Sequence, residues 1–187
     1  MTIFFTEISF SDANMQEIQA LYEASFPSDE RRDFCVFLEL LKNDNRFRVR
    51  IGTDGECGRF LCFISYWNFG DFCYIEHFAV EPELRGHGIG KAAMRDFFQS
   101  AGKRVILEVE PPADDITRRR IALYESLGYV LWSDYRYIQP PYAPHLNALE
   151  LKLMTYGKFS STDINRAVST IHSEVYGVAD GAYRLPL

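Results

Sequence analysis

The apolar positions change period several times along the chain, and each change marks an element. Ile3 to Phe10 reads as a strand. Met15, Ile18, Leu21 and Tyr22 then recur at helical spacing behind Ser11 or Asp12, either of which can cap a helix, and Phe26-Pro27 ends it. The helical period returns in Phe34, Phe37, Leu38 and Leu41, which predicts a second helix over 31–41. Lys42-Asn43-Asp44-Asn45 makes a turn. Three strands follow over 47–51, 60–67 and 72–80, joined by short loops rich in Gly, Asp and Asn. A helix is expected over 90–100 with Gly102 as its cap, then a buried strand over 105–110. Asp114 and Asp115 favour the positive end of a helix running to Leu127, where Gly128 stops it. Strands over 129–132 and 149–156 complete the pattern. Ile164, Val168, Ile171 and Val175 keep helical spacing, so residues 157–187 are expected to add a helix, packed on the 1–156 domain or lying in a dimer contact.

Composition narrows the classes. The length of 187 residues suits one domain with a proper core, and 47% apolar content argues against wholesale disorder. A formal charge of −6 argues against a nucleic-acid surface and is compatible with a cationic partner. No stretch approaches the ~20 apolar residues of a membrane span, and the N-terminus lacks a signal peptide's basic start and small-residue cleavage site. A soluble, cytoplasmic protein with no membrane partner is expected. Cys35, Cys57, Cys62 and Cys73 include no C-x-x-C pair and no His at zinc spacing, so free thiols and no metal are expected.

Chemistry concentrates where the strand Tyr74 to Val80 runs into Arg85-Gly86-His87-Gly88-Ile89-Gly90-Lys91. Glycines at every second position strip side chains from the backbone where a helix begins. Successive N–H groups can then point outward and, with the helix's positive end, seat a phosphate between Arg85 and Lys91. A P-loop would need Gly at 85 and Ser or Thr at 92, where the chain has Arg85 and Ala92. The Rossmann fingerprint fits Gly88 to Ala93, with Glu108 and Glu110 near the offset of a ribose-binding acid. Its loop, however, follows a strand directly, and too few alternating strands and helices follow here.

The stretch resembles the cofactor signature of GNAT-type N-acetyltransferases, Arg/Gln-x-x-Gly-x-Gly/Ala, matched by Arg85, Gly88 and Gly90. Arg119-x-x-Ala122-Leu123-Tyr124-x-x-x-Gly128-Tyr129 resembles that family's second motif, with Arg119 where Asn is usual. The resemblance implies a mixed, mostly antiparallel α/β fold with a splayed sheet of about seven strands flanked by helices. It implies acetyl-CoA as co-substrate, its pyrophosphate on residues 85–91. Its pantetheine would pair with the opened backbone of Phe78, Ala79 and Val80 by β-addition. The activity implied is transfer of the acetyl group to a primary amine of a small molecule or peptide by direct attack. A catalytically idle acyl-CoA sensor on the same fold is the alternative, and a Rossmann-type nucleotide-binding module a more distant one.

Direct transfer needs a neutral amine. For an alkylamine of pKa near 10.4 that costs about 4–5 kcal/mol at pH 7. Glu76 is the candidate base, and strand alternation puts it on one face with Tyr74 and Phe78, opposite Ile75, His77 and Ala79. The other reading pairs Glu76 with a basic neighbour. His77 reads as a packing histidine. In the family the tyrosine at the position of Tyr124 protonates the departing thiolate. The buried stripe Ile121, Tyr124 and Leu127 accounts for the same ring by packing, and both can hold. The oxyanion is expected on a backbone N–H at Phe78 or Ala79. Arg118, Arg119 and Arg120 could reach phosphate or pair with Glu108 or Glu110. Glu30, Tyr66 and Tyr142 are acceptor candidates, since carboxylates and rings suit a cationic amine.

Overall fold

The computed structural model describes residues 2–179 and 181–183. Eight strands and five α-helices, counted among the described residues, fall into two compact units. Of the described residues, one holds those up to Pro27 and Arg31–Lys103; the other holds Ser28–Glu30 and those from Arg104 onward.

The first unit contains β1 (Ile3–Ile8), α1 (Met15–Ser25), α2 (Phe34–Asn43), β2 (Phe47–Asp54), β3 (Phe60–Asn68), β4 (Phe72–Val80) and α3 (Ile89–Ala101). Its four strands pair in sequence order, each antiparallel to the next. Phe60 through Trp67 are all buried, because helices cover both faces of β3. On one face the Tyr22 ring of α1 packs against Phe63, while Phe37 of α2 meets Phe47, which in turn meets Trp67. On the other, Phe97 of α3 packs edge-on against Tyr66. A strand covered on both sides reads as a continuous apolar run instead of an alternating one.

Two local departures position the site. Helix α2 starts at Phe34, three residues later than its apolar period predicts, because the Asp33 side chain caps it by accepting from the Cys35 N–H at 2.8 Å. Arg31 and Arg32 therefore stay outside the helix. The second departure is in the β3–β4 register, which steps from Ser65↔His77 to Tyr66↔Ile75 and leaves Glu76 as an extra, bulged residue. The simple alternation expected for β4 is thus broken. Tyr74 pairs with Trp67 and His77 with Ser65 on the α1/α2 side, whereas Ile75 pairs with Tyr66 and Phe78 with Ile64 on the α3 side.

The second unit contains β5 (Arg104–Val109), α4 (Asp115–Glu125), β6 (Val130–Leu131), β7 (Tyr137–Gln139), β8 (Leu149–Tyr156) and α5 (Ser161–Glu174). Strand β8 pairs antiparallel with β5, β6 and β7. The three-residue β7 is too short for its period to register in the sequence. Capping boxes open both helices, Asp114 with Thr117 for α4 and Ser160 with Asp163 for α5. Helix α5 buries Ile164, Ala167, Val168, Ile171 and His172, so the apolar stripe of the extension is covered within the chain itself. Cys62 and Cys73 are buried free thiols, whereas Cys35 and Cys57 are exposed. No helix among the described residues is long and apolar enough to cross a membrane.

Candidate active site

The glycine loop is built from the backbone. Gly86 and Gly88 have φ of +81° and +82°, in the left-handed region that favours glycine. A Cβ added to either would meet nothing within 4 Å, so the space beside this backbone is open. Gly88 is the N-cap of α3 and no side chain caps the helix, which leaves its first-turn N–H groups to a ligand or solvent. Gly90 differs: its φ is ordinary, and a Cβ would sit 3.5 Å from the Phe78 ring, a normal contact that Ala could make.

Neighbouring side chains hold the loop. Arg85 turns back on its own strand, donating from Nε to the Val80 carbonyl at 3.0 Å, with Nη2 3.5 Å from Ser25 Oγ. His87 Nδ1 lies 3.1 Å from the Arg85 carbonyl and 3.3 Å from that of Leu84. Ile89 is buried and anchors α3 together with Ala93, Met94 and Phe97, while Lys91 stays half-exposed in the first turn. Arg50 of β2 fixes the far end of the helix through Asp96 at 2.7 Å and through Ser100.

Glu76 lies in a buried polar knot. Arg32 donates to its Oε1 from Nε at 2.9 Å and Nη2 at 2.7 Å, and Trp67 donates from Nε1 to Oε2 at 2.8 Å. The carboxyl is sealed from solvent and Arg32 is nearly so. Burial alone pushes this carboxyl up. The charge of Arg32, then the neighbouring His77 and the hydrogen bonds from Trp67 and Arg32, outweigh it and hold the group below its ordinary value. His77 packs edge-on between the Tyr22 and Phe26 rings, with Nδ1 3.2 Å from Ser65 Oγ, as expected for a packing histidine.

Tyr66 is buried, its ring against Phe97 and its hydroxyl donating to Glu7 Oε2 at 2.7 Å.

In the second unit, Tyr124 is buried on α4 with its ring 5.4 Å from that of Tyr129. Burial pushes its phenol up to about 12, against a smaller pull from Arg120. No hydrogen-bond partner for this hydroxyl occurs among the described residues. Of the three arginines before it, Arg118 pairs with Asp115 at 2.8 Å and Arg120 with Glu110, while Arg119 is exposed. Glu30 is half-buried, and its carboxyl is raised by burial and then by the charge of Glu110. Next to it, Asp29 is tied by Asn147, whose N–H and Nδ2 donate to it at 3.0 and 2.9 Å. Tyr142 is half-buried and stacks obliquely on Tyr176, centroids 5.0 Å apart.

The sequence pattern did not point to Arg32 as the partner of Glu76, 44 positions away, nor to Trp67 as its indole donor. It also passed over Tyr137 and Tyr176, whose hydroxyls both reach Glu108. These are long-range meetings of residue types that are common on any surface, and no local motif announces them.

The family model for the acetyltransferase (GNAT) family matches residues 12–129. A solved structure from Bacteroides thetaiotaomicron, described as an acetyltransferase from the GNAT family, is 32% identical, with a TM-score of 0.86 over 94% of this chain and 99% of its own. The ribosomal-protein-S18-alanine N-acetyltransferase of Escherichia coli is 18% identical, with a TM-score of 0.60 over 86% of this chain and 97% of its own. Arabidopsis thaliana NAA60 in complex with acetyl-CoA is 17% identical, with a TM-score of 0.62 over 83% and 98%. These last two share the fold. No curated protein matches the chain.

Proposed function

Because the chain belongs to the acetyltransferase (GNAT) family, we propose that it transfers the acetyl group of acetyl-CoA to a primary amine of a small molecule or peptide by direct attack. The observation that carries this reading is the uncapped start of α3, where Gly86 and Gly88 hold positive φ beside open space. That is the chemistry of a phosphate seat: backbone N–H donors, a helix's positive end, and no Cβ in the way. Residues Arg85 to Lys91 would hold the pyrophosphate, and the backbone of Phe78, Ala79 and Val80 the pantetheine. When bound, acetyl-CoA supplies the acetyl group as a thioester.

The chain's own residues then divide the work. Tyr124 keeps its proton at any physiological pH and has a hydroxyl available to donate, which suits it to stabilise a departing thiolate. Full transfer from a phenol at about 12 to a thiolate near 8.5 is uphill by roughly 5 kcal/mol. A hydrogen bond in the transition state is therefore the contribution we assign to it. Glu76 is sealed from solvent and held by Arg32 and Trp67, which disfavours its accepting the amine's proton directly. The arrangement favours passing that proton to water, with Glu76 as a fixed anion behind it. Glu30 and Tyr142 remain our acceptor-side candidates. Tyr66, its hydroxyl already engaged by Glu7, is the weakest of the three.

Thermal melting tests the reading. A ligand that binds only the native state stabilises it, by about 2.7 kcal/mol at a hundred times its Kd. Acetyl-CoA should raise the melting temperature and NAD(H) should leave it unchanged; the reverse result would restore the nucleotide-binding alternative.

A further inference from the structure

Residues beyond the family-matched 12–129 bring a second group of side chains to β5. Helix α5 docks through Ile164, Val168 and Ile171, and its end opens into a wider turn: the Tyr176 N–H reaches the Ile171 carbonyl and the Val178 N–H the His172 carbonyl. That turn delivers Tyr176 to Glu108. The Tyr176 hydroxyl donates to Oε2 at 3.1 Å, while the Tyr137 hydroxyl of β7 donates to Oε1. Tyr142 stacks obliquely on Tyr176, their hydroxyls 3.4 Å apart, so a third aromatic ring lies one hydroxyl beyond the carboxylate. Tyr137 is buried, and its phenol is raised well above its ordinary value by burial, then by the charge of Glu108 and the hydrogen bond to it.

The three groups suit one task. Phenol donors stabilise a carboxylate as an anion, and an anion so held is a better partner for a cation than an acceptor of protons. Ring faces beside it add cation–π attraction. Glu108 remains half-exposed despite its two phenol donors. We propose that Glu108, positioned by Tyr137 and Tyr176 and flanked by Tyr142, recognises a second, non-reacting cationic group on the acceptor. The chain would then prefer amines that carry two positive charges over those with one, and the segment after α5 would help to set that preference. This rests on the acetyl-transfer reading for its purpose, but binding can be measured without turnover.

The probes are 1,5-diaminopentane and pentylamine, which share a primary amine and chain length and differ by one charge. In calorimetric titration of the full chain, the diamine should bind at least about tenfold more tightly, the scale of one charge-assisted hydrogen bond. Glu108→Gln should remove that preference, and Tyr176→Phe, which keeps the ring, should reduce it several-fold. Equal binding of the two amines by the wild type would overturn the proposal. So would a preference that survives in Glu108→Gln, or one that is undiminished in Tyr176→Phe should the first variant fail to fold. Diamine bound with preference while no amine of a panel is acetylated would leave the cation site standing and defeat the acetyl-transfer reading instead.

Discussion

The start of α3 and the middle of β4 lie in one compact unit and make opposite use of their residues. At α3 the site is made by what is missing: no Cβ at Gly86 or Gly88, no capping side chain, and open space beside the backbone. At β4 it is crowded: Glu76 is buried on a bulge, with one oxygen held by Arg32 and the other by Trp67. The first region is ready to receive a ligand, and the second is already satisfied. Substitutions in the loop should therefore change binding more than folding, and substitutions in the knot should change folding first.

The loop offers the largest effect. Gly88→Val places a branched side chain where phosphate must approach. Losing two charge-assisted hydrogen bonds, at about 1.5–3 kcal/mol each, should weaken acetyl-CoA at least about a hundredfold. The positive φ adds a stability cost of about 1–3 kcal/mol, so affinity is to be titrated well below the variant's own melting point. Unchanged affinity in the folded variant would remove the loop from the site.

The knot should respond in the opposite order. Glu76→Gln or Arg32→Met leaves a buried charge without its partner, at a cost of about 3–5 kcal/mol in urea unfolding. The double variant should cost less than the sum of the two, since each single change strands the other's charge. Acetyl-CoA affinity should hold. If Glu76 instead accepts the proton directly, Glu76→Gln should lower the rate by roughly 10²–10⁴ and abolish the acidic limb of the pH–rate profile. An unchanged limb assigns the proton to water.

Tyr124 combines features of both regions, with a buried ring and a hydroxyl that no described residue engages. Tyr124→Phe should leave the melting point in place and lower kcat about 10- to 100-fold, with little change in KM for acetyl-CoA, provided thiolate departure limits the rate. A lower melting point with kcat intact would make it a packing residue only.

The smallest expected effect is on the acid side. The carboxyls of Glu76 and Asp163 are both lower in the folded chain than their ordinary values, Asp163 falling to about 2 through hydrogen bonds from Ser160. Unfolding then takes up protons. The stability these groups supply is complete above roughly pH 5 and is lost as pH falls toward their folded values. Urea midpoints should decline between about pH 5 and pH 2, and less steeply in Glu76→Gln. An identical slope in the variant would show that ionisation of Glu76 contributes nothing.

The same contrast explains what could be read in advance. Helices and strands came from period, and the glycine loop from spacing, because each is a short-range backbone requirement. The later start of α2 depended on Asp33 capping in preference to the apolar period. The bulge at Glu76 moved His77 onto the face of Tyr74 and Phe78 onto the other, since alternation cannot register an inserted residue. Glu76 was legible as a candidate, but its partner Arg32 was not, and Tyr137 and Tyr176 reach Glu108 from 29 and 68 positions away. What stayed hidden was the chemistry made by tertiary meeting.

One measurement tests acetyl transfer most directly: acetyl-CoA incubated with the chain and a panel of primary amines that includes 1,5-diaminopentane, with free CoA and acetylated amine both quantified. We predict that the two products form in equal amounts, depend on the amine, and are lost in Gly88→Val. Acetyl-CoA that raises the melting point while no amine yields CoA or acetylated product would contradict acetyl transfer and leave an acyl-CoA sensor.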